Sequence, residues 1–186
     1  MTLPDQLTLG RALAVPVVVL LFAWPFPNHV YWATAVFVAA MATDQVDGWL
    51  ARRRNQTSAF GSLLDPIADK VLVVAALVML IGERVAPAWM VAAIVARELL
   101  VSGLRLAAIE RGVVMGVRDL GKLKTWAQAV AVTVGGVAAG GAWSSDVAWW
   151  ALLVAVILTW ASGLDYARVA PRVLRGENAV SRLDVG

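Results

Sequence analysis

The chain has 186 residues, 60% of them hydrophobic and 16% charged, which excludes an ordinary soluble domain and a disordered chain. With no cysteine it has no disulfide and no thiol chemistry, and with His29 as its one histidine a zinc site is not expected. The net charge of +3 says less than its distribution, and Met1–Gln6 lacks the basic start of a signal peptide.

Six membrane helices are predicted, roughly at 8–26, 30–54, 58–82, 86–110, 120–141 and 147–170. Each apolar run is close to the length that crosses about 30 Å of hydrocarbon. The expected fold is therefore all-α: a polytopic membrane protein, one domain over 1–186, built as a bundle of six transmembrane helices with a short N-terminal interfacial segment. Residues 1–9 (MTLPDQLTL) form that lead-in, with Pro4 as its turn. Short connections predict that consecutive helices pack antiparallel.

The first connection, Trp24-Pro-Phe-Pro-Asn-His29, is uncharged, and its prolines and interfacial tryptophan end the helix. His29 reads as a solvated loop residue. The second helix carries D44-Q-V-D47-G48-W-L-A51-R52. Asp44 and Asp47 are three apart and share a face. Gly48 and Ala51 lie on that face, and their lack of bulk lets a nucleotide phosphate approach the backbone. Arg52 supplies a fork suited to phosphate. Arg53 and Arg54 read as anchors on the basic side of the membrane.

The turn at 55–58 offers Thr57 or Ser58 as a cap for the third helix. That helix carries G61-S-L-L-D65-P-I-A-D69. Asp65 and Asp69, four apart, share a stripe with Gly61. Pro66 predicts a kink, tolerated at membrane depth where the backbone lines a polar cavity. Two helices presenting paired carboxylates to each other make an all-oxygen pocket, suited to Mg2+ or Mn2+. Ion pairing is the structural alternative, but acids inside a membrane are costly, and here four occur together.

Gly82–Pro87 is the second outer turn. The fourth helix holds A96-R97-E98-L-L-V-S-G-L-R105. Arg97 lies about 15 Å along from Pro87, where a charge must pair or face a wet cavity. A structural Arg97–Glu98 network and a ligand site both fit. Arg105, nearer the basic face, is the better phosphate ligand. A polar connection leads to G121-K-L-K-T125-W-A-Q128, where Lys122 and Lys124 oppose the helix dipole. A bound anion would account for them, as would anchoring to lipid headgroups. Gly136 and Gly140 predict close helix packing, within the bundle or between subunits. Asp165 reads as a structural partner for Arg97, Arg105 or a lysine, and 171–186 is a polar tail. Fifteen of the sixteen basic residues lie on one side, Arg84 alone on the other, so the acid site and both termini face the cytoplasm across a cell membrane. Eight of the nine tryptophans sit near predicted helix ends, as an aromatic belt does.

The run D44-x2-D-G-x2-A-R52-x8-G-x3-D-x3-D69 carries eight fixed residues at fixed offsets and resembles the signature of the CDP-alcohol phosphatidyltransferases without a gap. LTxxR at Leu7–Arg11, L64-D-P-I-A-D-K70, R97-E-L-L-V-S-G-L-R105 and G121-K-L-K-T125 with Gln128 are similar to the branch formed by the bacterial phosphatidylglycerophosphate synthases. Asp5 stands where that branch's opening has Asn.

The resemblance implies CDP-diacylglycerol as donor and sn-glycerol 3-phosphate as acceptor, in phospholipid biosynthesis. It implies that Asp44, Asp47, Asp65 and Asp69 hold two divalent cations and that Asp69 is also the general base. The implied donor contacts are Gly48, Ala51, Arg52, Gly61 and Ser58, with Thr8 and Asp5 from the lead-in. Arg105, Arg118, Lys122 and Lys124 are the candidates for the acceptor's phosphate. Membrane lipids rather than nucleic acid are the expected surroundings, and the resemblance implies a homodimer.

A cardiolipin synthase of the same superfamily, with phosphatidylglycerol as acceptor, is the nearest alternative. The basic residues between Arg97 and Lys124 favour the smaller anion. Membrane prenyltransferases also use two Asp motifs, but place an acid where this chain has Ala51. An ion carrier with the acids as its path is the non-enzymatic alternative.

Overall fold

The computed structural model describes residues 3–54, 59–110 and 119–174, with side chains described at 10–43, 68, 70–108, 110 and 121–164. Six helices and no strand occur among the described residues: α1 (Leu3–Ala23), α2 (His29–Arg54), α3 (Ala59–Gly82), α4 (Ala88–Glu110), α5 (Asp119–Ala139) and α6 (Ser145–Leu174). The lead-in is not a separate segment. Pro4 falls in the first turn of α1, where no intrahelical N–H bond is required of it, so the helix runs on from Leu3. At the other terminus α6 continues to Leu174 and takes in the first residues of the expected tail.

Three tight turns close one end of the bundle, called here the turn end. Pro25 and Pro27 stop α1, and Asn28 enters α2 with φ 63°, a conformation that asparagine tolerates. After α5, Gly141 takes φ 86°, and the N–H groups of Gly141 and Ala142 bond the carbonyls of Ala138 and Val137. The Ser144 hydroxyl then accepts the Asp146 N–H at 3.2 Å and caps α6. His29 is a tie rather than a free loop residue. Its Nδ1 lies 3.0 Å from the Phe26 carbonyl and its Nε2 3.5 Å from Glu83 Oε1, linking the first turn to the second.

The helices do not all pack in chain order. Among the described residues α1 lies against both α2 and α3, while α2 and α3 meet only sparingly. Similarly α6 lies against both α4 and α5, which scarcely approach each other. The pairs joined at the turn end pack on each other as expected, and among the described residues those joined at the opposite end meet sparingly. Gly136 and Gly140 act within the chain. A Cβ on Gly136 would strike the Thr34 side chain, and one on Gly140 the Tyr31 ring, so α5 is seated directly on α2. The Tyr31 hydroxyl donates to the Gly140 carbonyl at 2.8 Å across the same contact.

Packing changes character along the bundle. Towards the turn end the core is hydrocarbon: Val18 and Phe22, Ala33 and Phe37, Leu72, Val73, Ala76, Leu77 and Leu80, Met90, Val91 and Ile94, Val132 and Leu152. Farther along, the buried side chains are Arg11, Arg97, Glu98, Gln128, Thr159 and Ser162. The outside is the reverse. Leu20, Trp32, Val78, Leu99, Val130 and Ile157 are exposed, one from each helix. A surface this apolar over a core this polar is the arrangement a lipid solvent favours. Among the described residues one stretch, Ser145–Leu164, is long and apolar enough to cross a membrane by itself. Gly10–Ala23, His29–Thr43 and Lys70–Gly82 are shorter apolar runs.

Candidate functional site

The residues singled out from the sequence fall on the last halves of α2 and α4 and the first halves of α1, α3 and α5. Asp44, Asp47, Gly48, Ala51 and Arg52 belong to α2, and Gly61, Asp65 and Asp69 to α3. Asp5 and Thr8 belong to α1. The side chains of all ten lie outside the described residues, as do Ser58, Arg118 and the side chain of Asp165. Pro66 lies within α3, where its predicted kink is also outside the described residues.

A buried polar network, whose geometry is described, joins α4, α5 and α6. Its centre is Glu98 on α4. Glu98 Oε1 accepts from Arg97 Nη1 at 3.0 Å, from Gln128 Nε2 at 3.3 Å and from Lys124 Nζ. Arg97 is 2% exposed, and its second amino group donates to Ser162 Oγ at 2.5 Å. Gln128 Nε2 also donates to Thr159 Oγ1 at 2.9 Å, and Ser162 Oγ donates to the Thr159 carbonyl at 3.0 Å. Two helices that scarcely touch are thus joined through long polar side chains, with α6 supplying the remaining partners. Gly163 makes room for this: a Cβ there would stand 3.0 Å from Arg97 Nε.

A second strand of the network reaches α3. Lys70 Nζ, one residue beyond Asp69, donates to Ser102 Oγ at 2.6 Å. Ser102 Oγ in turn donates to the Glu98 carbonyl at 2.6 Å, in the i to i−4 bond common for serine in apolar helices. The residue following the last acid is therefore fastened to the turn of α4 that carries Glu98.

Of the four basic residues expected to meet an acceptor phosphate, Lys124 points inward and lies on Glu98, with its side chain 12% exposed. Arg105 is half-buried on α4 and Lys122 is exposed on α5. Of the two readings of Arg97, the described geometry is a structural network with Glu98. Thr159 and Ser162 were not singled out from the sequence. Their signal was present: two hydroxyls three residues apart on one face of an otherwise apolar run.

Among the described residues no group of three or more His, Asp or Glu stands together. The donor set in the sequence is four carboxylates without thiolate or imidazole, which suits a hard divalent cation.

Comparison with known proteins follows the same lines. A family model described as CDP-alcohol phosphatidyltransferase matches residues 1–161. A Bacillus subtilis (strain 168) protein named CDP-diacylglycerol–glycerol-3-phosphate 3-phosphatidyltransferase is 41% identical over 143 residues, covering 70% of this chain and 74% of the relative. One of the same name from Yersinia pestis (strain Pestoides F) is 38% identical over 180 residues, covering 91% and 95%. Another, from Blochmanniella floridana, is 42% identical over 139 residues, covering 70% of each chain.

Proposed function

The chain belongs to the CDP-alcohol phosphatidyltransferase family, and from that premise we propose that it transfers the phosphatidyl group of CDP-diacylglycerol to sn-glycerol 3-phosphate. The products are phosphatidylglycerophosphate and CMP. The observation that carries this reading is the shared name of relatives about two-fifths identical, one of them covering nearly the whole chain.

Asp44, Asp47, Asp65 and Asp69 hold divalent cations, Mg2+ or Mn2+ and two in number by the family resemblance. Bound there, such ions neutralise charge on a pyrophosphate. Support comes from the helical period. The buried stripe of α3 through Leu72, Ala76 and Leu80 extends back to positions 69 and 65. The buried stripe of α2 through Val30, Ala33 and Phe37 extends on to positions 44, 47 and 48.

Within that frame the chain's own residues do the following. Gly48, Ala51 and Gly61 leave room for the donor pyrophosphate, and Arg52 pairs with it. Ser58, Thr8 and Asp5 complete the donor contacts. Arg105, Arg118, Lys122 and Lys124 receive the acceptor's phosphate. Asp69 accepts the proton of the acceptor's 1-hydroxyl as that oxygen bonds to the phosphatidyl phosphorus. The bond from that phosphorus to the CMP phosphate breaks, and CMP leaves with the electron pair. Positioning and charge compensation supply most of the acceleration in such transfers.

We read the six helices as six spans of the cytoplasmic membrane, with both termini and the acid site on the cytoplasmic side and the chain paired as a homodimer. The exposed apolar side chains found on each helix among the described residues support the first part, and the distribution of arginine and lysine the second.

The test is a panel of acceptors, with labelled CDP-diacylglycerol and Mg2+ or Mn2+. Phosphatidylglycerophosphate forms from sn-glycerol 3-phosphate, and chelation with EDTA abolishes it. Cardiolipin from phosphatidylglycerol, with no product from glycerol 3-phosphate, would overturn the assignment in favour of the cardiolipin branch.

A further inference from the structure

A buried carboxylate that receives two cations is not a simple ion pair. Glu98 Oε1 takes Arg97 and Lys124 together, so these three side chains carry a net charge of +1. A further negative group, from the chain or a ligand, would relieve that buried excess. The two cations differ in how open their spare donors are. Arg97 spends one N–H of each amino group, on Glu98 and on Ser162, and its Nε, beside Gly163, has no hydrogen-bond partner among the described residues, but the residue is only 2% exposed. Lys124 has three N–H donors, and among the described residues it uses one, on Glu98. The carboxylate is itself immobilised. Gln128 holds it from α5, and Gln128 is fixed by Thr159. Its own backbone carbonyl is bonded to Ser102, which holds Lys70, the neighbour of Asp69.

We propose that Glu98 is a positioning residue: it fixes the Lys124 ammonium at a set place relative to α3, so that the remaining donors of Lys124 meet the phosphate of the acceptor. This rests on the reading of Lys124 as an acceptor-phosphate ligand. A lysine side chain is a flexible stem that carries a point charge. Anchoring one N–H on a carboxylate that is fixed from three helices removes most of that freedom before the acceptor arrives. Arg97 then serves to hold the carboxylate in place.

The test uses the full chain in mixed micelles, with Glu98→Gln, Lys124→Met, the double variant and Glu98→Asp. Glu98→Gln and Lys124→Met are each expected to raise KM for sn-glycerol 3-phosphate about tenfold and KM for CDP-diacylglycerol less than about twofold. The double variant is expected to match Lys124→Met alone, because Glu98 acts through Lys124. Glu98→Asp keeps the charge but draws it back by one methylene. It is expected to raise the acceptor KM by a smaller factor with Tm unchanged, and it serves where Glu98→Gln does not fold. Multiplying effects in the double variant would overturn the inference. So would an unchanged acceptor KM in Glu98→Asp, or both KM values moving together as Tm falls.

If the wild type makes no product from glycerol 3-phosphate, the proposed function fails by itself. The inference is then read from the Tm shift that inorganic phosphate produces. A shift that is lost in Lys124→Met and reduced in Glu98→Gln supports it; equal shifts, or none in any variant, overturn it.

Discussion

The two ends of the bundle solve opposite problems. At the turn end, hydrocarbon packs on hydrocarbon, and the helices are set by close approach of α5 to α2 and by short turns. At the motif end, side chains that are costly to bury are kept inside and satisfy one another across gaps between helices. In the lipid solvent proposed above, apolar burial would give little preference for one neighbour over another, and shape would have to specify the first end. Hydrogen bonding specifies the second. The turn end sets how the helices stand, and the motif end sets which chemical groups face each other.

Substitutions separate the two roles. The largest effect is expected from Asp69→Asn, which retains donor binding and loses about a thousandfold in kcat, measured by steady-state transfer. Near-normal turnover would remove Asp69 as the base. Next is Arg97→Met, which leaves Ser162 and Glu98 without their guanidinium. We expect a loss of about 3 kcal/mol, read by thermal unfolding in detergent, together with a fall in activity. At the turn end, Gly136→Ala drives a methyl into Thr34 and costs about 1–2 kcal/mol, with both KM values unchanged. Adding Thr34→Ala is expected to restore most of that loss; no recovery would mean that α5 is not seated on α2 as described. The smallest effect is Tyr31→Phe, which removes one partly solvated hydrogen bond and costs about 0.5 kcal/mol.

Much of the fold was legible in the sequence, for reasons that can be named. Apolar runs of near-constant length, ended by Pro25, Gly82 and Gly141, gave the six helices to within a few residues. The acid signature was legible because its spacing is helical and its residue types have no ordinary place in hydrocarbon. Neighbour order was not legible. Nothing local in α1 says that it lies against both α2 and α3, because its exposed and buried faces are both apolar. The partner of Arg97 was hidden for a similar reason. Ser162 is 65 residues away, and a hydroxyl in an apolar run commonly bonds its own helix backbone, as Ser162 also does to the Thr159 carbonyl, so the pair of hydroxyls does not by itself name a partner on another helix. Lys124 read as an anion ligand or a headgroup anchor at a helix start, whereas its inward direction depends on Glu98 of another helix.

The place of α6 between α4 and α5 bears on how the chain is made. Arg97 and Gln128 find part of their partners only on Ser162 and Thr159. A nascent chain that has emerged as far as α5 therefore carries a guanidinium and an amide that hold Glu98 but each lack the hydroxyl that α6 supplies. Until α6 has emerged, those two groups need water or another polar neighbour in place of its hydroxyls, so closure of this part of the bundle awaits α6.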